Sequence, residues 1–129
     1  YMVLLGNMTM HVIAGFILSM VFQLAHVVDK ADFPSQEEAA ESSLLEHQLK
    51  TTANFSTKNP IVTWYTGGLN FQVEHHLFPT INHVHYPKIA EIVRNTANEF
   101  KLPYNEYKTT IGAIKGHFKH LKYMGMNPA

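Results

Sequence analysis

The run Gln72-Val73-Glu74-His75-His76 concentrates more potential chemistry than any other stretch of this sequence. On a helix, positions 72, 75 and 76 stand at i, i+3 and i+4 and share one face. Neutral imidazole is the commonest protein ligand for transition metals, and a glutamine carbonyl can complete such a set or hold a metal-bound water. Two adjacent imidazoles cannot aim at one point, but each can meet a different metal of a pair. A bare His-His pair is more often a solvated surface feature, so the pair alone decides little. Composition leans the same way: nine histidines stand against ten Lys plus Arg. There is no cysteine, which excludes disulfides, zinc–thiolate sites, iron–sulfur ligation and thiol nucleophiles in this stretch. The formal net charge of +0 gives no sign of a nucleic-acid partner.

Those side chains need elements to position them. Residues 1–28 contain no Asp, Glu, Lys or Arg. As a helix they extend roughly 42 Å, against a bilayer hydrocarbon core of roughly 30 Å. A transmembrane helix over 1–28 is therefore expected, with His26 at its end. The absence of a basic leader region and of a small-residue cleavage site argues against a signal peptide. His11, Gly15, Ser19, Gln23 and His26 fall within an arc of about 120°, and hydrocarbon cannot satisfy such a stripe. It calls for partner helices, yet no second apolar run of spanning length comes after it. The expectation is a fragment of a larger protein that supplies those partner helices.

Residues 29–129 carry the pattern of a water-exposed helical domain. Ser35 and Glu38 have capping-box spacing, opening a helix to about Thr52 with Leu44, Leu45 and Leu49 inward. Residues 54–60 suggest a loop, followed by a helix from about Trp64 or Asn70 to Leu77, closed by Pro79. Pro87 suits a first helical turn, and Ile89, Ile92, Val93, Ala97 and Phe100 continue an amphipathic stripe that Pro103 ends. Ile111, Ile114, Phe118 and Leu121 mark a last helix. No alternating strand pattern stands out, so the expected class is all-α. Glu74 is expected to point away from the Gln72/His76 face into solvent or toward a lysine. His47, His117 and His120 suggest helix surfaces, and His11 bundle packing. From Lys101 onward five lysines face one acid, Glu106, which suits either anionic lipid headgroups or a solvated face.

The flanks sharpen the reading of the histidine pair. Gly67-Gly68-Leu69-Asn70-Phe71-Gln72-Val73-Glu74-His75-His76-Leu77-Phe78-Pro79 closely resembles the third histidine box of front-end and acyl-lipid fatty acid desaturases, in which Gln replaces the first His. Glu46 to Phe55, His83 to Ile89 and His117 to Gly125 resemble the same membrane-bound family. The resemblance implies that His75 and His76 are iron ligands, that Gln72 contributes at the variable first position, and that His26 corresponds to an additional ligand on the last membrane helix. Asn70 and His83 become candidates for orienting those ligands. It further implies two iron ions, an acyl-CoA or acyl-lipid substrate, and a cytochrome b5-type or ferredoxin electron donor. It also implies an integral membrane protein with residues 29–129 on the cytosolic side. The family's two earlier histidine boxes are absent from this sequence, so this chain alone is expected to be inactive and to need the missing N-terminal part. Two other readings stay open: a histidine-box membrane hydroxylase, and a non-catalytic, membrane-anchored bis-His module binding haem or zinc.

Overall fold

The computed structural model describes residues 1–35, 37–38 and 42–126. Helix α1 spans Met2–His26 and is long and apolar enough to cross a membrane. Residues 2–19 of it are exposed, with His11, Gly15 and Ser19 of the polar stripe among them, whereas Gln23 and His26 at its end are half-buried. Only the final turns enter a core, through Leu24 and Ala25. The helix ends where Val27 leaves helical dihedrals, just before Asp29 and Lys30.

The Ser35 capping box forms: the Ser35 N–H donates to Glu38 Oε2 at 2.9 Å and the Glu38 N–H to Ser35 Oγ at 3.3 Å. Residues 36 and 39–41, in the middle of the expected long helix, lie outside the described residues. Beyond them stands a separate helix, α2 (Leu44–Thr51), with its own cap, the Glu46 N–H donating to Ser43 Oγ at 3.2 Å. The Ser43-x-x-Glu46 spacing is a second capping signature. Of the three leucines expected inside, only Leu49 is buried; Leu44 and Leu45 occupy the first turn and remain exposed.

Strand β1 (Asn54–Phe55) stands where a loop was expected, paired in parallel with β2 (Glu106–Tyr107). Two residues are too few to show alternation, and the architecture remains all-α. Of the two starts expected for the helix reaching Leu77, the later one holds, as α4 (Gln72–Leu77), and a separate helix, α3 (Pro60–Tyr65), precedes it. Between them Gly67 and Gly68 adopt φ of +60° and +82°, a region that glycine enters without penalty. A Cβ on Gly68 would also stand 2.6 Å from His83 Cβ. Helix α5 (Tyr86–Glu99) has Pro87 in its first turn, and α6 covers Thr110–Met126.

Two main apolar clusters flank the strand pair. One joins Leu24, Val28, Ala53, Phe55, Tyr107 and Ala113 beneath α1 and α6; the other joins Leu49, Val73, Val93 and Ala97 between α2, α4 and α5. On α6 the buried side is Ala113 and Gly116, whereas Ile111, Phe118 and Leu121 of the expected stripe are exposed. Small residues let α6 approach closely. The Tyr107 hydroxyl donates to Asp29, Lys119 pairs with Asp29 at 2.8 Å, and His117 Nδ1 meets the Val27 carbonyl at 2.6 Å. His117 is thus a half-buried link between α6 and the end of α1 rather than a surface residue.

The joint leaves no spare room. A Cβ at position 116 would stand 2.6 Å from Tyr107 Oη and 2.8 Å from Asp29 Oδ1. Gly116→Ala is therefore expected to cost about 1–3 kcal/mol, typical of overpacking, read as a lowered thermal midpoint. For Asp29, burial raises the carboxyl pKa, but the hydrogen bonds from Lys119 and Tyr107 outweigh it and hold it below the ordinary 3.8. The stability it contributes is complete above that ordinary value and lost as pH falls through the depressed one. Asp29→Asn should then flatten the loss of stability in acid, an outcome checked by unfolding at a series of pH values below neutrality.

Candidate metal centre

Two backbone links and one from a side chain bring the end of α1 to α4. The Ala25 carbonyl, one of the last four of its helix and so without an intrahelical partner, accepts from the Ala53 N–H at 2.8 Å. The Phe55 N–H donates to the Asn70 carbonyl at 3.0 Å. Asn54 Oδ1 accepts from the Val73 N–H at 2.9 Å, one residue into α4. Ala53 and the strand β1 that follows it therefore join the residue before His26 to the helix that carries the histidine pair.

The consequence is a convergence of nitrogens. Gln72 Nε2 lies 3.2 Å from His26 Nε2 and 3.2 Å from His76 Nε2, and the two imidazole nitrogens are 3.4 Å apart. The rings of His26 and His76 meet edge to face, with centroids 5.1 Å apart. Gln72 and His76 share a face because they are i and i+4 on α4. His26 is also hydrogen-bonded to the Thr51 backbone, which helps set its ring with Nε2 toward the cluster. Burial, then the neighbouring His26 and His75, hold His76 below the ordinary imidazole range, so it favours the neutral form.

This arrangement has the donor chemistry of a cation site. With both imidazoles neutral, Nε2 lone pairs and an amide face one point. At metal–nitrogen distances of about 2.0–2.1 Å, tetrahedral donors stand about 3.3–3.4 Å apart, close to the spacings here. Gln72 Oε1 is buried and has no hydrogen-bond partner among the described residues. An orphaned acceptor costs about 1–3 kcal/mol, and a rotated amide would aim this oxygen at the imidazoles as a neutral ligand. The donor set of two imidazoles and an amide suits a divalent first-row ion such as iron. Among the described residues no group of three or more His, Cys, Asp or Glu is gathered at one point, so the set is partial for one ion and incomplete for two.

His75 faces elsewhere. Its ring lies 5.7 Å from that of His76 at 76° between planes, and its Nδ1 is 3.3 Å from the Tyr86 hydroxyl. It does not join the three converging donors. Asn70 is fully buried, donates to Thr63 Oγ1 at 3.0 Å and accepts from Thr66 Oγ1 at 3.2 Å, pinning the turn between α3 and α4. His83 is exposed on the 3-10 turn His83–His85 against Gly68. Neither has a hydrogen bond to His26, Gln72, His75 or His76 among the described residues.

Glu74 reverses its expectation. It is fully buried, with Asn54 Nδ2 donating to Oε2 at 2.7 Å and the Tyr104 hydroxyl to Oε1 at 2.9 Å. Asn54 Nδ2 also meets the Tyr104 oxygen at 2.8 Å, and the Arg94 guanidinium lies over the Tyr104 ring. Burial raises the Glu74 carboxyl pKa; burial, then Glu74, raises that of Tyr104. The side of α4 opposite the imidazoles packs inward because α2 and α5 cover it. Asn54, Tyr104 and Thr51 support the site yet escaped sequence reasoning: Tyr104 is thirty positions from Glu74, and no spacing rule connects them.

Comparison with known proteins gives a consistent picture. The fatty acid desaturase family profile matches residues 2–108. The chain is 40% identical over 125 residues, 96% of its length, to an sn-1 linoleoyl-lipid 6-desaturase of Arthrospira platensis, of which it covers 34%. It is 44% identical over 115 residues, 88% of its length, to an acyl-lipid (8-3)-desaturase of Physcomitrium patens, of which it covers 24%. The chain thus spans about a quarter to a third of the length of these curated relatives. No solved structure matches it.

Proposed function

The chain belongs to the fatty acid desaturase family, and from that premise we propose that it is the C-terminal portion of a di-iron acyl desaturase acting at a membrane. The observation that carries the chemistry is the convergence of His26, Gln72 and His76 at 3.2–3.4 Å, just past the end of an apolar helix of spanning length. In this reading His26, Gln72 and His76 hold one iron and His75 contributes to a second. The remaining ligands come from the part of the longer protein that precedes these residues. Residues 1–28 form the membrane span, and residues 29–129 the cytosolic helical domain.

The reaction removes two hydrogens from adjacent CH2 groups: one C=C forms, while O2 with two electrons and two protons leaves as two waters. Bound iron supplies the oxidising power for unactivated C–H bonds. The residues of this chain supply position and environment. Gln72 and the imidazoles are ligands that bind as uncharged groups, leaving any balancing charge to the rest of the longer protein. The buried Glu74–Asn54–Tyr104 set holds α4 in register beneath them, and the apolar clusters on either side exclude water. The substrate is an acyl chain on a glycerolipid or coenzyme A, and the electrons arrive from a cytochrome b5-type domain or a ferredoxin. Support for the acyl-lipid form comes from the names of the relatives.

The test is an assay of the chain alone and joined to the N-terminal remainder of a relative, with reductant, O2 and acyl lipid. Product two hydrogens lighter from the joined protein, and none from the chain alone, is the expected result. A product heavier by one oxygen would replace desaturation by hydroxylation. Turnover by the chain alone would overturn its dependence on other segments.

A further inference from the structure

Helix α3 presents two unlike faces. Val62 packs against the core beneath α1, and the Thr63 and Thr66 hydroxyls bond to Asn70. Ile61, Trp64 and Tyr65, at i, i+3 and i+4, share the other face and are 74%, 81% and 59% exposed. In water such a cluster of large apolar surface is unfavourable. Its neighbours define its surroundings. A groove of about 410 Å³ runs between α1, α3 and α6, lined among others by Phe16, Met20, Leu24, Ile61, Trp64 and Ile114.

The level of that groove along α1 is informative. Phe16 to Leu24 precede Asp29, the first charge of the chain, by roughly 8–20 Å at the rise of a helix. If α1 spans a bilayer, as the proposed function holds, this stretch lies in hydrocarbon and at its edge. α3 beside it cannot then lie in bulk water. Tryptophan and tyrosine concentrate at that edge, where an apolar ring meets a polar tip. The exposed apolar side of α6 continues the patch through Ile111, and Lys115, one turn later on a helix without acids, is positioned for anionic headgroups.

We propose that α3 is an interfacial membrane element, with Ile61, Trp64 and Tyr65 seated among phospholipids at the boundary of headgroups and acyl chains, continuous with the lipid-facing side of α1. The proposal rests on the reading of α1 as a span. Its consequence is positional: α3 leads through the Gly67–Gly68 turn directly into α4, so lipid contact at Trp64 sets the height of Gln72 and His76 above the bilayer.

The chain reports on this itself, since Trp64 is its one tryptophan and it has no cysteine. The 129-residue chain is placed in phosphatidylcholine vesicles whose acyl chains carry bromine near the headgroup or near the bilayer centre. In parallel, an Ile13→Cys variant bearing a fluorescent label reports the depth of α1. The expected result is loss of Trp64 emission with shallow bromines, little loss with deep ones, and quenching of the residue-13 label by deep bromines. Quenching at residue 13 with none at Trp64 overturns the interfacial assignment and leaves the span standing, whether Trp64 emits as in water or as packed against protein. Quenching of Trp64 chiefly by deep bromines overturns it as well. A residue-13 label in water removes the span and the proposal together.

Discussion

His76→Ala is expected to weaken Fe(II) binding at the centre by more than about 100-fold. Loss of a contact that merely orients a ligand typically costs about 10–100-fold, and this substitution removes a donor itself. Its Nε2 stands 3.2 Å from the Gln72 amide and 3.4 Å from His26 Nε2, so truncation leaves one imidazole and an amide. His76 is half-buried and its ring meets the rings of His26 and His75 rather than the apolar clusters, so helix content should not change. The measurement is iron competition against a chelator, with activity of the longer protein as a second readout. His85→Ala, at an exposed position on the 3-10 turn, serves as the control and should bind as the parent does. Equal iron affinity in the His76 variant and the control would refute the assignment of this centre.

Asn54→Ala is expected to be the most destabilising single change outside the centre, at about 3–5 kcal/mol. Asn54 is fully buried; it accepts from the Val73 N–H and donates to Glu74 and Tyr104. Its removal leaves a buried backbone donor unpaired, at about 1–3 kcal/mol, and strips one of two hydrogen bonds from a buried carboxyl. The carboxyl oxygen that loses Asn54 has no water to replace it, which adds a penalty of about 1–3 kcal/mol more. Against a typical total of about 5–15 kcal/mol, such a loss approaches unfolding. The check is the denaturant midpoint in detergent, compared with Asn95→Ala on the exposed side of α5. Matching midpoints would show that the Asn54–Glu74–Tyr104 set does not hold α4.

The two substitutions probe opposite sides of α4, and those sides differ in how far sequence alone could reach. The side with Gln72 and His76 followed from helical spacing, and its chemistry from residue type. The side with Glu74 was misread, because a carboxylate is ordinarily solvated and its partners are remote in the chain. The same contrast recurs elsewhere. The Ser35 and Ser43 caps are local signatures, present in the structure as hydrogen bonds. The exposure of Leu44, Ile111 and Phe118 was not legible, since an apolar stripe does not say which of its residues meets a partner.

The sequence by itself determined the helical class, the apolar α1 and its charge boundary, the shared face of Gln72 and His76, and the family. The first three depend on residue type and short-range periodicity, which backbone geometry converts directly into structure, and the family on the likeness of the Gly67–Pro79 run. Only the tertiary structure gave the geometry of the approach of His26 to Gln72, 46 positions away, which the resemblance had implied without distances, and only it decided that Glu74 is buried and that α6 packs through Ala113 and Gly116. Those outcomes depend on which surfaces exclude water together, and close packing selects them by shape rather than by spacing along the chain.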